Sequence, residues 1–409
     1  MKYALLIALA AAGAHAAPLP PAPGLPPTAL VRPLLDQDPE VAAARAGREV
    51  ARQDAELLDA SPYEWTAKVT AQRRTLDAGP RYQEWNAGVE RTLRLPGKAG
   101  ADRRIGLALL EEGDARYGEA LHETARELLG LWLDWAHAEQ ADELAGAHVL
   151  AARENLGVVD KRVKAGDAAR LDASLAGAEL AEQQRAGIEA KTAAAVAWAR
   201  LHARFPALGR QFSTLPTPVP LAEPAAFWRE RILAQSDELK IAEALLQKAQ
   251  AHGERMRADK VPDPTVGIYT ASEVGGRERI TGVMLSMPIP GAHRGARADR
   301  AVHAAEASRQ EVELKKRALD GAIAAAVATA QGSYEGWQSA ESGAAAMRDN
   351  ARLMQRAYTL GEADLQSLLA ARRLATTAAQ NALAAKLAAA RGYYALLVDA
   401  HLVWDMDHE

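Results

Sequence analysis

The sequence predicts a mainly α-helical fold with a small β part, built from one unit used twice: short helix, β-hairpin, long helix, turn and return helix. Three observations carry this. Hydrophobic residues make up 49% of the 409-residue chain but aromatics only 5%, so alanine supplies much of the apolar content, as in long packed helices. Gly97 to Lys161 contains no proline and carries apolar residues at helical spacing. Three landmarks recur 194 positions apart: Gly88-Val89 with Gly282-Val283, Pro96-Gly97 with Pro290-Gly291, and Leu171 with Leu365. Constant spacing of a strand end, a Pro-Gly corner and a turn leucine marks a duplication.

In chain order, residues 1–16 read as a signal peptide: Lys2, an apolar run from Tyr3 to Gly13, and the cleavage pattern Ala14-His15-Ala16. That run is too short to span a bilayer, and no later stretch reaches 18 apolar residues, so any membrane-embedded part must be a β-barrel. Residues 17–33, with seven prolines, read as an extended lead-in. Repeat one covers 34–205. Its short helix starts at Asp38-Pro39-Glu40, with Asp as N-cap and Pro at N1, and ends near Asp59. The period then changes to two. Trp65, Ala67, Val69 and Ala71 alternate with polar residues within a strand at 64–76. Trp85, Ala87, Val89 and Leu93 do the same within 82–95, after a turn at Asp77-Ala78-Gly79-Pro80.

The helical hairpin of repeat one spans 97–205. In its long arm Leu107, Leu110, Asp114, Tyr117, Leu121, Ala125, Leu128, Trp132 and Trp135 average 3.5 residues apart, the period of a left-handed coiled coil, with Asp114 the one polar intruder. An arm of about 65 residues is about 97 Å long. Lys164-Ala165-Gly166-Asp167 signals the turn, and a return helix runs to Phe205. A Pro-rich linker at 206–228 leads to repeat two, 229–405, with strands at 264–271 and 279–289 and a hairpin at 291–404. Its short helix opens at Ser236-Asp237-Glu238, its seam runs Ile323, Val327, Ala330, Tyr334, Trp337, Glu341 and Ala344, and its turn is Tyr358-Thr359-Leu360-Gly361-Glu362-Ala363.

Two amphipathic strands cannot stand alone, and four per chain cannot close a barrel with a lumen, but twelve from three chains can. On this pattern Trp65, Val69, Trp85, Val89, Leu93, Val283, Leu285 and Met287 face lipid. Gly166 and Gly361 reverse the long helices, and Asp167 and Glu362 follow as acids at the start of each return helix.

With these features in this order, the mature chain resembles the TolC-like outer-membrane efflux family, the exit ducts of tripartite pumps and type I secretion systems. The resemblance rests on the duplication, on Leu95-Pro96-Gly97-Lys98 and Pro288-Ile289-Pro290-Gly291, and on the two tips. It implies a homotrimer with a 12-stranded outer-membrane barrel above a long periplasmic α-barrel. The implied partners are a periplasmic adaptor (membrane fusion) protein, an inner-membrane pump of the resistance-nodulation-division type and outer-membrane lipid. It places adaptor contact at the tips, with Arg162, Lys164 and Tyr358 beside Gly166, Asp167, Gly361 and Glu362. The Pro-Gly-Lys and Pro-Gly-Ala-His-Arg-Gly corners look most like members serving exporters of heavy-metal cations of the cobalt-zinc-cadmium kind. The chain departs from the family in two ways. It has no cysteine for an N-terminal lipid anchor. Where some members carry an acidic ring beyond the second tip, it has Gln366 and Leu369, leaving Asp172 and Asp364 as the nearby acids for a periplasmic constriction.

Other chemistries find little footing. Lys+Arg and Asp+Glu number 49 and 53, a balance that gives no sign of nucleic-acid binding. The absence of cysteine excludes disulfides, thiolate zinc sites and cysteine nucleophiles. Histidines are scattered, without a two-His helical pair, and no nucleophile–base set or phosphate-cradling loop is present, so the expectation is no enzyme, no cofactor and no metal. The C-terminal Asp399, His401, Asp405, Asp407, His408 and Glu409 read as a frayed, solvated tail. The competing class is a non-conducting periplasmic coiled-coil adaptor or scaffold. Two equal hairpins and two amphipathic strand pairs argue against it.

Overall fold

The computed structural model describes residues 22–210, 214–404 and 406. The signal-type segment 1–16, the lead-in as far as 21, and Asp405, Asp407, His408 and Glu409 lie outside the described residues. The first half runs α1 (Thr28–Asp36), α2 (Pro39–Asp59), β1 (Thr66–Thr75), β2 (Arg81–Thr92), α3 (Pro96–Ala165) and α4 (Arg170–Arg204). The second runs α5 (Ala225–Gln235), α6 (Asp237–Ala258), β3 (Thr265–Glu273), β4 (Glu278–Ser286), α7 (Ala292–Leu360) and α8 (Leu365–Asp399).

Each half therefore has one more helix than the sequence pattern indicates. The lead-in read as extended over 17–33 is helical from Thr28, and the linker read over 206–228 is helical from Ala225. Proline density suggested polyproline backbone, but Pro33 inside α1 forfeits only one helical N–H while Val31, Leu34 and Leu35 are buried. The short helices start as their caps dictate. Asp38 accepts from the Glu40 amide at 2.8 Å with Pro39 at N1, and the Ser236 hydroxyl accepts from the Leu239 amide at 3.3 Å.

The long helices have 70 and 69 residues, about 105 Å each at the α-helical rise. Helices α2 and α4 lie along α3, α6 and α8 lie along α7, and α3 also packs on α6 and α8, joining the halves. From Tyr117 onward the predicted α3 seam is buried: Leu121, Ala125, Leu128, Trp132 and Trp135 meet Leu201, Trp228, Ile323, Val327, Tyr394 and Leu397 in the main core. The start of the seam departs from the reading. Leu107 is exposed, and Asp114 is half-exposed and ion-paired with Arg48 of α2.

The C-terminal segment is also not the solvated tail that its composition suggests. Trp404 is 2% exposed and donates its Nε1–H to the Pro26 carbonyl at 2.9 Å, while Met406 is buried in the same core. Asp399 is held by Arg126 at 2.8 Å and lies 3.4 Å from His122.

The four strands form one antiparallel sheet in the order β1-β2-β3-β4. The β2–β3 pairing joins the repeats, and β1 and β4 are its free edges.

Candidate functional site

The sheet sorts its side chains by face. The register runs Ala67–Val89–Ile268–Val283 across all four strands, with Val69, Ala71, Trp85, Ala87, Val266 and Leu285 on the same side. This side is uncovered: Val69 is 77% exposed and Val283 is 85% exposed. Trp65, Leu93 and Met287 sit just beyond the strand ends on the same alternation, and all three are exposed. The other face carries the paired polar side chains. Lys68 meets Glu90 at 2.5 Å, Gln72 donates to Glu84 at 2.9 Å, and Arg74 pairs with Glu84 and Glu273 at 3.1 Å each.

Two matched glycines find their reason on the polar face. Gly88 and Gly282 flank Tyr269 in register. A Cβ on Gly282 would lie 2.7 Å from the Tyr269 ring, and one on Gly88 would lie 3.0 Å from its Cβ. The glycines give the ring its space on this face of the sheet.

At the opposite end of the molecule, both long helices close on glycine in the left-handed region, Gly166 at φ 84° and Gly361 at φ 81°. The Asp167 amide reaches back to the Arg162 carbonyl at 2.8 Å, and the Glu362 amide to the Ala357 carbonyl at 2.9 Å. Asp167 and Glu362 therefore belong to the turns that end α3 and α7, not to the first turns of α4 and α8. The return helices begin three residues later, and other acids serve their starts. Asp172 accepts from the Ala169 amide at 3.2 Å, and Asp364 accepts from the Ser367 amide at 2.7 Å. Gln366 is exposed beside them.

The two tips touch. The Arg162 guanidinium lies 4.8 Å from the Tyr358 ring centroid and donates to the Tyr358 carbonyl at 3.5 Å, while Lys164 is free of the core and exposed. Beneath this contact Val159, Tyr358, Leu365, Leu368 and Leu369 form a small core of their own.

The sequence model described as "Outer membrane efflux protein" matches residues 30–205. Over that stretch, which is less than half of its length, the chain is similar to the outer membrane efflux protein family. Protein CyaE of Bordetella pertussis is 30% identical over 255 residues, a match that covers 57% of this chain and 52% of that relative's length. Solved structures extend the fold over both halves. CusC superposes with a TM-score of 0.74 at 18% identity, covering 91% of each chain. The CmeC outer membrane channel of Campylobacter jejuni gives 0.75 at 14% identity, covering 93% of this chain and 86% of that one. The MtrE outer membrane channel of Neisseria gonorrhoeae in its open state gives 0.70 at 19% identity, covering 93% and 90%.

The chain thus shares the fold of these solved channels, a four-stranded antiparallel sheet set on long paired helices. The hairpin turns at 76–80 and 274–277 lie at the end of the sheet away from the helices, and the tips lie at the far ends of α3 and α7.

Where sheet meets helix, the chain holds a charge network that sequence reading missed. Lys98, 1% exposed, pairs with Asp263 at 2.9 Å and Asp259 at 3.2 Å. Asp263 also accepts from the Tyr63 hydroxyl at 2.7 Å and the Leu95 amide at 3.1 Å. Asp102 binds Arg255 at 2.6 Å and Arg94 at 3.2 Å. Burial alone would raise the Asp263 carboxyl, but the hydrogen bonds from Lys98, Tyr63 and Leu95 outweigh it and hold it below the ordinary carboxylate range. Asp259 is lowered in the same way, against its burial, by Arg255 and Lys98. The one sequence signal for this network was Lys98 in the Leu-Pro-Gly-Lys corner.

Proposed function

We propose that three copies of this chain form the passive exit duct of a tripartite efflux system, opened from the periplasm and performing no chemistry of its own. The single observation that carries the reading is the four-stranded sheet with one face apolar over its helix-proximal rows, an opposite face of paired charges and two free edges, set on helices about 105 Å long. A lone sheet of this kind exposes both its edges and its apolar side. Three of them close into a ring with neither liability.

In this reading a periplasmic adaptor docks at Arg162, Lys164, Gly166, Asp167, Tyr358, Gly361 and Glu362. An inner-membrane pump of the resistance-nodulation-division type supplies the energy. Asp172, Asp364 and Gln366 form three-fold rings at the narrow end. The Arg162–Tyr358 contact ties the two hairpins of one protomer, a bond that must loosen if the tips are to part. The cargo is heavy-metal cations. That part of the proposal rests on the corner motifs alone, and Lys98 in one of them is engaged in a structural ion network.

The test is an export assay in cells whose tolerance to metal salts depends on this chain. Gly361→Val places a β-branched residue at φ 81°, which costs on the order of 1–3 kcal/mol and distorts the turn. It should abolish tolerance while outer-membrane levels of the protein stay near normal. Ala78→Val in the opposite loop should leave tolerance intact. Full export by the Gly361 variant would rule out a docking role for this tip. Tolerance restored for organic compounds but not for metals would overturn the cargo assignment.

A further inference from the structure

The outward face of the sheet changes character toward the cell exterior. Counting along the apolar side, the rows Ala67–Val89–Ile268–Val283 and Val69–Ala87–Thr270–Thr281 are followed by Ala71–Trp85–Ser272–Arg279, then by Arg73–Gln83 and finally by Thr75–Arg81. Three arginines per protomer therefore share the alternation of the lipid-facing residues, and they lie at or just beyond the level of Trp85. All three are exposed, and none makes an ion pair or side-chain hydrogen bond among the described residues.

The neighbouring inward-facing Arg74 is placed quite differently, held by both Glu84 and Glu273. Arg91, the outward-facing arginine at the periplasmic end, lies 5.6 Å from the Trp65 ring centroid and donates to the Tyr63 carbonyl at 3.1 Å. Of the arginines within the four strands, Arg73, Arg81 and Arg279 alone have no side-chain partner among the described residues.

Depth decides what they meet. From the Trp65–Arg91 level to Arg73 is eight residues, about 27 Å along a strand. At a tilt of about 40° this corresponds to about 20 Å of membrane depth, close to the apolar band of an outer-membrane barrel. The guanidinium groups, extended outward on their apolar stems, reach the headgroup layer of the outer leaflet. Guanidinium forks match phosphate oxygens bidentately, and they lose less on leaving water than an ammonium does.

We propose that Arg73, Arg81 and Arg279 form a binding belt for the phosphate groups of outer-leaflet glycolipid. Arg73 lies on β1 and Arg279 on β4, the two free edges of the sheet. Closure of the ring brings these edges together, so the phosphorylated lipid bridges adjacent protomers at each seam. The inference rests on the lipid-facing reading of this sheet.

The test uses the full chain, purified as its detergent-extracted oligomer and heated to dissociation. The probes are a bisphosphorylated diglucosamine glycolipid, its dephosphorylated counterpart and inorganic phosphate. The phosphorylated glycolipid should raise the dissociation temperature of the wild-type oligomer, and the other two probes should not. The triple variant Arg73→Gln/Arg81→Gln/Arg279→Gln should need about tenfold or more of the phosphorylated lipid for the same shift, and Arg91→Gln should behave as wild type. An equal shift with the dephosphorylated lipid would overturn the phosphate role. An equal shift with inorganic phosphate would replace the lipid by a simple anion. An unchanged triple variant would remove the arginines from the site. The wild-type comparison of the three probes decides the matter even if a variant accumulates poorly, and loss of the oligomer in wild type itself would speak against the barrel rather than the belt.

Discussion

Val283→Arg is expected to strip the outer membrane of folded protein. Val283 is 85% exposed at the middle of the apolar face, level with Ile268, Val89 and Ala67. In the proposed barrel a guanidinium there must lie in hydrocarbon or drag water in after it, at about 2–4 kcal/mol per protomer near mid-depth. Three copies multiply the penalty in one ring. Thr70→Arg, on the polar face beside Asn86, adds the same charge on the lumen side and should be accommodated. Outer-membrane fractionation with heat-dependent gel mobility reads both. Normal levels of heat-dissociable oligomer in the Val283 variant would mean that this face does not meet lipid.

Lys98→Met should be the most damaging single change outside the barrel. It leaves Asp259 and Asp263 half-partnered in a corner where Lys98 is almost completely enclosed. Removing one member of a buried ion pair costs about 3–5 kcal/mol, because the remaining charge stays desolvated. Adding Asp263→Asn should recover a large part of the loss.

Acid offers a second readout. Both carboxyls are held below their unfolded values, so their contribution is complete above the ordinary carboxylate range, near pH 4, and is lost as pH falls through the depressed folded values. Wild-type thermal stability should therefore fall in acid, and the fall should be shallower in Lys98→Met. An Asp263→Asn/Lys98→Met protein no more stable than Lys98→Met alone would contradict the pairing.

Elements governed by local period were legible in the sequence. Strand alternation put Val69, Val89 and Val283 on one face, and the duplication aligned Gly88 with Gly282 before Tyr269 could be seen between them. Long-range packing overrode local signals elsewhere. Pro33 sits inside a helix because Val31 and Leu35 gain more from burial than one missing N–H loses. A charged C-terminus concealed Trp404 and Met406, which fill the main core between the N-terminal segment and α8.

The helix tips divided the same way. Their glycines were visible from the need for positive φ, but the roles of the neighbouring acids depend on which residue closes one helix and which opens the next. That choice moved from Asp167 and Glu362 to Asp172 and Asp364. The corner network was invisible because it joins Lys98 to acids more than 150 positions away, in the other repeat.

The central claim is that β1 and β4, the free edges of this sheet, meet between copies and that the ring closes at three. The chain has no cysteine, so engineered pairs act alone. Val283→Cys in β4 can be combined in turn with Ala67→Cys, Val69→Cys or Ala71→Cys in β1. Within one chain these strands are three spacings apart, about 14 Å, too far for a disulfide. Oxidation in intact outer membranes followed by denaturing electrophoresis should give, for at least one pair, a ladder of covalent dimer and trimer that stops at three. Monomer alone for every pair, or a ladder that continues past three, would contradict the barrel.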